Sequence, residues 1–375
     1  MFIGGFKILD YFPLILGLLI LVGSLISIKL GVSITIVEII LGVIAGNLGI
    51  IEIEPWMSYV ASFGGIFLTF LAGTEVDLNL MKDKFSESFL IGFLSFLAPF
   101  LAIFIVTYLI VGWSFTESLL IATALSETSI AIVFSVLKES GLFNYELGKI
   151  IMIATFITNL SVAVVLNLLF LEVNLSTLIF YIISAVFLFI AYKYSYLIFN
   201  SGSLKNKLVE VEVKYIFLLL LFLIFLANFG GGIAILPAFI LGSLFSNYFK
   251  ENQFADKLQT IAFGVITPIF FIISGMKVSI SLIIPLIGVL ILIFAVRQVS
   301  KYIGVFYLAK HYFNENKHFI TYMMSTGLTF GLVAAVFGLN HNIISPSHYS
   351  LIIAILVLSA VIPSFIAQKF FKPEI

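Results

Sequence analysis

From Tyr11 to Phe370 the chain is a succession of apolar blocks separated by short polar breaks. Each block approaches the roughly 20 apolar residues that a helix needs to cross a bilayer core. No other feature constrains the fold as much. In hydrocarbon every backbone N–H and C=O must find a partner within the protein, so blocks of this length have to be helices. Marked between the breaks, they lie at 11–28, 32–50, 57–77, 87–112, 116–137, 146–171 and 175–199. Six more follow at 213–229, 231–249, 257–275, 281–310, 319–340 and 347–370. The Asn228-Phe229-Gly230-Gly231-Gly232 break divides what would otherwise read as one long helix over 213–249. The predicted fold class is an all-α polytopic membrane protein with about thirteen transmembrane helices.

Composition removes the alternatives. Hydrophobic residues make up 62% of the chain and charged residues 10%, with a mean hydropathy of +1.22. Soluble domains carry about 25% charged residues, too many for this chain to match on a water-facing surface. Lys+Arg 19 balances Asp+Glu 19, which leaves no basic patch for nucleic acid. There is no cysteine, hence no disulfide, thiolate metal site or thiol nucleophile. His311, His318, His341 and His348 stand in short polar stretches between blocks, and no zinc, haem or other cofactor is expected. No nucleophile–base set appears, so an enzyme is not expected either. The first block reads as a span and not as a cleaved signal, because Lys7 and Asp10 balance and no small-residue cleavage site follows. The expected task is movement of a solute across a bilayer.

The charges test the segmentation. Of the 19 basic residues, Arg297 and Lys301 lie inside a span, Lys7 and Lys277 fall on one side of the membrane, and all the others fall on the opposite side. A miscounted span would mix the two sets. By the positive-inside rule the N-terminus is predicted outside and the C-terminus in the cytoplasm of a multi-pass cell-membrane protein.

A shift of 200 residues brings similar stretches together. Val37-Glu38-Ile39-Ile40-Leu41-Gly42 meets Pro237-Ala238-Phe239-Ile240-Leu241-Gly242, and Asn47 meets Asn247. Phe63-Gly64 meets Phe263-Gly264, and after a two-residue gap Gly73-Thr74-Glu75-Val76 meets Gly275-Met276-Lys277-Val278. Ser126 and Ser129 meet Thr326 and Thr329. The shift moves each span on by seven. Because seven is odd, the two copies lie upside down to each other, the architecture of alternating-access transporters. The predicted repeats run over about 11–171 and 213–370, with 175–199 as the connecting helix.

Spans 5 and 12 are the polar, interrupted pair that marks a binding site in such folds. Span 5 carries Ser126-Glu127-Thr128-Ser129 at mid-membrane, and span 12 carries Ser325-Thr326-Gly327-Leu328-Thr329. Hydroxyls can bond the groups that an unwound segment frees, and glycine permits the break. Two broken helices crossing there would aim half-helix ends at each other, with partial charges to be compensated. An acid at this depth costs about 3 kcal/mol on insertion scales. Glu127 is therefore either an ion or proton ligand or the counter-charge of a half-helix N-terminus. Thr158 and Asn159, mid-way along span 6, carry oxygens suited to a dehydrated cation, although interhelical hydrogen bonding is the commoner role of such residues. Arg297 and Lys301 stand one turn apart on one face of span 11. Arginine stays charged, whereas lysine can release its proton when desolvated, so Lys301 is the candidate for coupled protonation; snorkelling of one of the two is the plainer alternative. Glu38 faces either a domain interface or the ion path, and Glu75 stands at the end of span 3.

Several stretches resemble the monovalent cation:proton antiporter-2 family, the Kef-type and NapA-type exchangers. Phe70-Leu71-Ala72-Gly73-Thr74-Glu75-Val76-Asp77-Leu78 resembles its FLAG-x-E-x-D-L stretch, and Ala124-Leu125-Ser126-Glu127-Thr128-Ser129 its unwound ALSxTS segment. Phe270-Phe271-Ile272-Ile273-Ser274-Gly275 is similar to its FFxxxG stretch, and Ser300-Lys301-Tyr302-Ile303-Gly304 to its GKxxG helix. The resemblance covers nearly the whole chain and concerns the membrane domain only. It implies a single transmembrane sodium/hydrogen exchanger-like domain, built from a dimerisation part and a six-helix core, and working as a homodimer in the bilayer. Its substrates would be a monovalent cation, Na⁺ or K⁺, and the proton. Lys301 would release or salt-bridge a proton-linked carboxylate, Ser126, Thr128 and Ser129 would line the crossing, and Thr326 and Thr329 would face them.

One departure stands out. After Leu147-Gly148-Lys149 the family carries an acidic pair nine and ten residues on from the basic residue, whereas this chain has Thr158-Asn159. Glu127 is the preferred replacement, converging with Asn159 on a transient Na⁺ or K⁺ site. The alternatives are an organic solute or anion transporter on the same fold, with Arg297 as the anion partner, and a non-transporting membrane protein descended from an exchanger.

Overall fold

The computed structural model describes residues 11–30, 33–75, 85–143, 145–169, 174–199, 210–250 and 254–371, and the backbone of 2–3 and 6–7. Val76-Asp77-Leu78 of the FLAG stretch, and Lys82, Lys84, Lys205, Lys207 and Lys372 of the charge tally, lie outside the described residues.

A short antiparallel ladder pairs β1 (Phe2–Ile3) with β2 (Phe6–Lys7). Among the described residues the other elements are helices: α1 (Phe12–Leu30), α2 (Ile34–Asn47), α3 (Pro55–Thr74), α4 (Phe85–Val111), α5 (Phe115–Leu125), α6 (Ile130–Glu139), α7 (Glu146–Leu169) and α8 (Leu175–Phe199). Then come α9 (Val211–Gly230), α10 (Ile235–Lys250), α11 (Ala255–Met276), α12 (Ile280–Tyr312), α13 (Lys317–Met324), α14 (Thr329–Asn340) and α15 (Pro346–Phe370). With α5–α6 and α13–α14 each taken as one interrupted span, 11 of these helices are long and apolar enough to cross a membrane. The shorter α2 and α10 complete the predicted set. These two are mates under the 200-residue shift, so even the shortening is repeated.

Local chemistry sets the helix ends. Ser114 and Glu117 close a capping box at the start of α5: Glu117 N–H donates to Ser114 Oγ at 3.3 Å, and Ser114 N–H to Glu117 Oε2 at 3.3 Å. Ser345 Oγ accepts from His348 N–H at 3.2 Å, with Pro346 at the first helical position of α15. At the predicted Asn228–Gly232 break, α9 ends on Gly231 in the left-handed region, φ 69°.

Two helix crossings show the inverted repeat in three dimensions. α2 lies against α11, and α3 against α10. A Cβ on Gly42 would overlap the Ile272 carbonyl, and one on Gly275 the Ile39 carbonyl. In the second crossing, Gly242 meets the Phe70 carbonyl and Gly73 the Phe239 carbonyl in the same way. Gly42 and Gly242 are repeat mates, as are Gly73 and Gly275. One backbone-to-backbone contact is therefore built twice, each time by small residues that admit close approach. Around these crossings the helices fall into two groups. α1–α3 gather with α11, while α4 packs on α5, α7 and α12, and α14 on α5.

Candidate functional site

Both predicted interruptions are present. α5 stops at Leu125 and α6 starts at Ile130; α13 stops at Met324 and α14 starts at Thr329. The last carbonyls of a helix have no partner within it, and at this depth water does not supply one. Two cations on α12 fill that role. Arg297 donates from Nε to Leu125 O at 2.7 Å and from Nη1 to Ser325 O at 2.7 Å. Its Nη2 reaches Glu127 O and Thr326 O, both at 3.2 Å. One turn on, Lys301 Nζ donates to Thr128 Oγ1 at 2.8 Å, Met324 O at 2.9 Å and Ser95 Oγ at 3.2 Å. Both are 0% exposed. Neither snorkels; together they tie the C-terminal ends of α5 and α13 to one face of α12.

The hydroxyls of the crossing are engaged as well. Thr128 donates to Met324 O at 2.9 Å, Ser126 to Ala122 O at 2.6 Å and Thr326 to Met323 O at 2.8 Å. Ser129 Oγ and Thr329 Oγ1 stand 3.1 Å apart. These two are mates under the 200-residue shift, so corresponding positions of the two stretches meet here.

Glu127 is fully buried, and neither carboxylate oxygen has a hydrogen-bond partner. The amides of Leu328 and Gly331 at the start of α14 face it, and Arg297 and Lys301 act on it electrostatically. Gly327 leaves the room: a Cβ there would overlap Arg297 Nη2 and stand 3.2 Å from Glu127 Oε1. Asn159, on α7, donates from Nδ2 to Thr128 O at 3.0 Å, while its Oδ1 is buried without a partner. Thr158 turns away from the crossing and donates to Gly92 O of α4 at 2.9 Å and to Ala154 O at 3.0 Å. Glu127, Ser126, Thr128, Asn159, Arg297, Lys301, Thr326 and Thr329 thus gather at one place, and Thr158 stands beside it.

Two participants were not singled out from the sequence. Ser95 of α4 accepts from Lys301, and the Met324 carbonyl accepts from three donors. Ser95 is the lone polar residue in Phe93-Leu94-Ser95-Phe96-Leu97, a signal of the same kind as those used. A backbone carbonyl leaves none.

Two cavities flank the seam between the helix groups. The larger, about 250 Å³, is lined by Tyr59, Ser62, Asn228, Asn340 and His341 among others. The smaller, about 40 Å³, is lined by Thr35, Thr69, Glu75, Ile130 and Thr329 among others. Val333 of α14 borders both. Beyond the end of α11, Lys277 Nζ donates to Asn340 Oδ1 at 3.1 Å, and burial pushes its ammonium below the usual lysine range.

The family model described as sodium/hydrogen exchanger, transmembrane, matches residues 16–372. The relative named "Probable Na(+)/H(+) antiporter 3" from Methanocaldococcus jannaschii is 28% identical, over 96% of this chain and 96% of that one. YjbQ of Bacillus subtilis is 26% identical over 92% of this chain, which spans only 60% of the length of that protein. Among solved structures, the sodium proton antiporter MjNhaP1 from Methanocaldococcus jannaschii superposes with a TM-score of 0.69 over 96% of this chain and 98% of that one, at 19% identity. It shares the fold.

These findings correct the finer assignment drawn from the motifs. They support a cation:proton antiporter fold of the NhaP kind, and not the antiporter-2 subfamily of Kef-type and NapA-type exchangers specifically. The physical reason lies in what the motifs encode. Gly73 and Gly275 serve close helix crossings, and Ser126–Ser129 the break, both demands of the fold. The acidic pair, where the subfamily's pattern is most specific, is Thr158-Asn159 here. A multi-pass membrane protein matched over nearly its whole length, this chain belongs to the sodium/hydrogen exchanger family.

Proposed function

We propose that this exchanger trades Na⁺ or K⁺ for protons by alternating access, with Glu127 as the group for which cation and proton compete. One observation carries the reading: a fully buried carboxylate set in the break between α5 and α6, whose oxygens complete no close hydrogen bond although the amides of Leu328 and Gly331 face them. A buried carboxylate so weakly held is costly unless a proton or a cation occupies it at some stage of the cycle. A proton on Glu127 answers that need, and so does a dehydrated cation. The Asn159 Oδ1, likewise unpartnered, is the neutral oxygen placed to assist, with Thr128 O beside it. Ser126, Thr128 and Thr158 then shape the site, because their hydroxyl protons already serve backbone carbonyls. The Methanocaldococcus jannaschii relative, named as an Na⁺/H⁺ antiporter and matching end to end, supports the same activity.

Competition for one site couples the two fluxes without a chemical step. The helices α4–α7 and α12–α15 would form the body that carries the site. The helices α1–α3 and α9–α11 would form the stationary, dimerising body, with α8 as the connector of the repeats at 11–171 and 213–370. The two cavities, one at each end of the seam and meeting at Val333, would be its alternate approaches. The working unit would be a homodimer with its N-terminus outside and its C-terminus in the cytoplasm. An anion carrier built on Arg297 is not favoured, because its Nε, Nη1 and Nη2 already bond four carbonyls.

Purified protein in proteoliposomes tests the reading. A Na⁺ or K⁺ gradient should drive a counterflow of protons, and Glu127→Gln should abolish it while the protein still folds and elutes as the native form does. Undiminished cation-driven proton movement in that variant would remove Glu127 from the mechanism.

A further inference from the structure

We propose that the junction between α11 and α12 is the pivot on which the site-bearing body turns, with Asn47, Tyr349 and Ser350 as the positioning residues that hold it and the turn around Pro285 as the point where α12 bends. The proposal rests on the exchange reading above and deepens it, since it names where the movement is anchored.

The junction is three residues long, Lys277 to Ser279, and it joins the two bodies directly. Both of them grip it. From the stationary side, Asn47 at the end of α2 donates from Nδ2 to Val278 O at 2.8 Å and accepts from Ile280 N–H at 3.0 Å through Oδ1. From the moving side, Ser350 Oγ of α15 accepts from Ser279 N–H at 2.9 Å, and Asn340 at the end of α14 accepts from Lys277 Nζ at 3.1 Å. Tyr349, 0% exposed, donates to Ser274 O in the last turn of α11 at 2.7 Å. A carbonyl in that turn needs a partner from outside the helix, because Val278 N–H bonds Gly275 O instead. Every backbone N–H from Lys277 to Ile280 has an acceptor, so shifting the junction would break bonds on both sides at once. Behind it, a Cβ on Gly46 would overlap the Met276 backbone and one on Gly275 the Ile39 carbonyl. The last turns of α2 and α11 thus touch through their backbones and leave no room to slide.

Just beyond the junction the restraint ends. No side chain from Ile280 to Leu286 is buried. Ile284–Leu286 form one 3₁₀ turn within α12, where Pro285 has no N–H to give to Ser281 O. A 3₁₀ stretch inside a long helix often marks a hinge. Further on, Ile293, Arg297, Lys301, Val305 and Ala309 are buried at every fourth position, and α12 packs on α4. The bend therefore falls between a pinned end and a packed shaft. Arg297 stands about 18 Å beyond Pro285 and Tyr312 about 40 Å, so a bend of about 10° would carry the crossing about 3 Å and the far end of α12 about 7 Å. Movement is then smallest beside the junction, where Asn340 lines the larger cavity, and greater at the smaller one.

The test uses the full chain, which contains no cysteine, in proteoliposomes. One variant carries Lys277→Cys with Asn340→Cys, across the junction. A second carries Ala72→Cys with Ala131→Cys, on α3 and α6, which line the smaller cavity from the two bodies. Each pair is joined by a short reducible bis-thiosulfonate linker, and cation-driven proton movement is read before joining, after it and after reduction. The link across the junction should leave most of the unlinked rate, whereas the link across the smaller cavity should lower it about tenfold or more, with recovery on reduction. Pro285→Ala should lower the limiting rate severalfold with the KM for Na⁺ unchanged and no fall in the melting midpoint. Tyr349→Phe should likewise lower the limiting rate at constant KM; a lowered midpoint at the native rate would make that contact merely structural and overturn its role. Exchange stopped by the junction link, exchange that survives the other link, or a native rate in Pro285→Ala overturns the pivot while leaving exchange intact. Absence of cation-driven proton movement in the native protein with both Na⁺ and K⁺ overturns the exchange reading, and the pivot with it.

Discussion

Replacement of Arg297 by methionine removes the charge and all donors while keeping an unbranched side chain of similar reach. In the native structure two short bonds, 2.7 Å to Leu125 O and 2.7 Å to Ser325 O, hold the ends of α5 and α13. Hydrogen bonds to a charged group contribute about 1.5–3 kcal/mol each. The two bonds from Nη2, at 3.2 Å, share one nitrogen and add less. Against the loss stands relief of a buried charge, which costs several kcal/mol to desolvate. The relief is incomplete, because four carbonyls at membrane depth are left without water or donor, and removing one member of a buried charged set typically costs about 3–5 kcal/mol. That range is the expected destabilisation.

Membrane proteins of this size seldom unfold reversibly, so the reading is the midpoint of thermal unfolding in detergent at one fixed scan rate. Arg297→Met should lower it by several degrees. Arg297→Lys should recover part of the loss and no more, since a compact ammonium offers three donors without the planar fork that reaches both breaks at once. If Arg297→Met melts where the native protein does, the idea of a clamp across the two interruptions fails, whatever happens to transport.

Gly242→Ala would drive a Cβ into the Phe70 carbonyl and should cost about 1–3 kcal/mol by overpacking, read as a lowered melting midpoint. Gly264→Ala, with nothing within 4 Å of its Cβ, should be neutral or stabilise by up to about 1 kcal/mol; equal effects of the two would refute the close-crossing account. Asn159→Asp exchanges the donor to Thr128 O for a second acid and should shift the pH at which cation-driven proton movement is half-maximal; an unchanged pH profile would place Asn159 outside the site. Under the proposed competition of proton and cation for Glu127, each unit of pH below the carboxyl's titration should raise the apparent KM for Na⁺ about tenfold with little change in the limiting rate. A pH effect on the limiting rate alone would indicate a remote titrating group.

Hydrophobic block length made the spans legible, and a constant offset of shared glycines made the halves legible, because both are properties of side chains printed in order. The buried cations were visible as lone charges in apolar surroundings. What they bind was not, since the acceptors on Leu125, Ser325, Thr326 and Met324 are backbone atoms with no residue signature. The same limit explains Thr158 and Asn159, adjacent in sequence yet turned to different neighbours, Gly92 O and Thr128 O, since successive residues on a helix point about 100° apart. The motifs misassigned the subfamily for a related reason: they record helix contacts that every member of the fold must make. The Ser129–Thr329 contact joins the two kinds of information. A pair recognised only by its offset in the chain proves to be a pair in space, 3.1 Å apart. That meeting point falls within the interruptions themselves, beside the buried Glu127 carboxylate, which is where a site must lie if both faces of the membrane are to reach it through equivalent movements of two inverted halves.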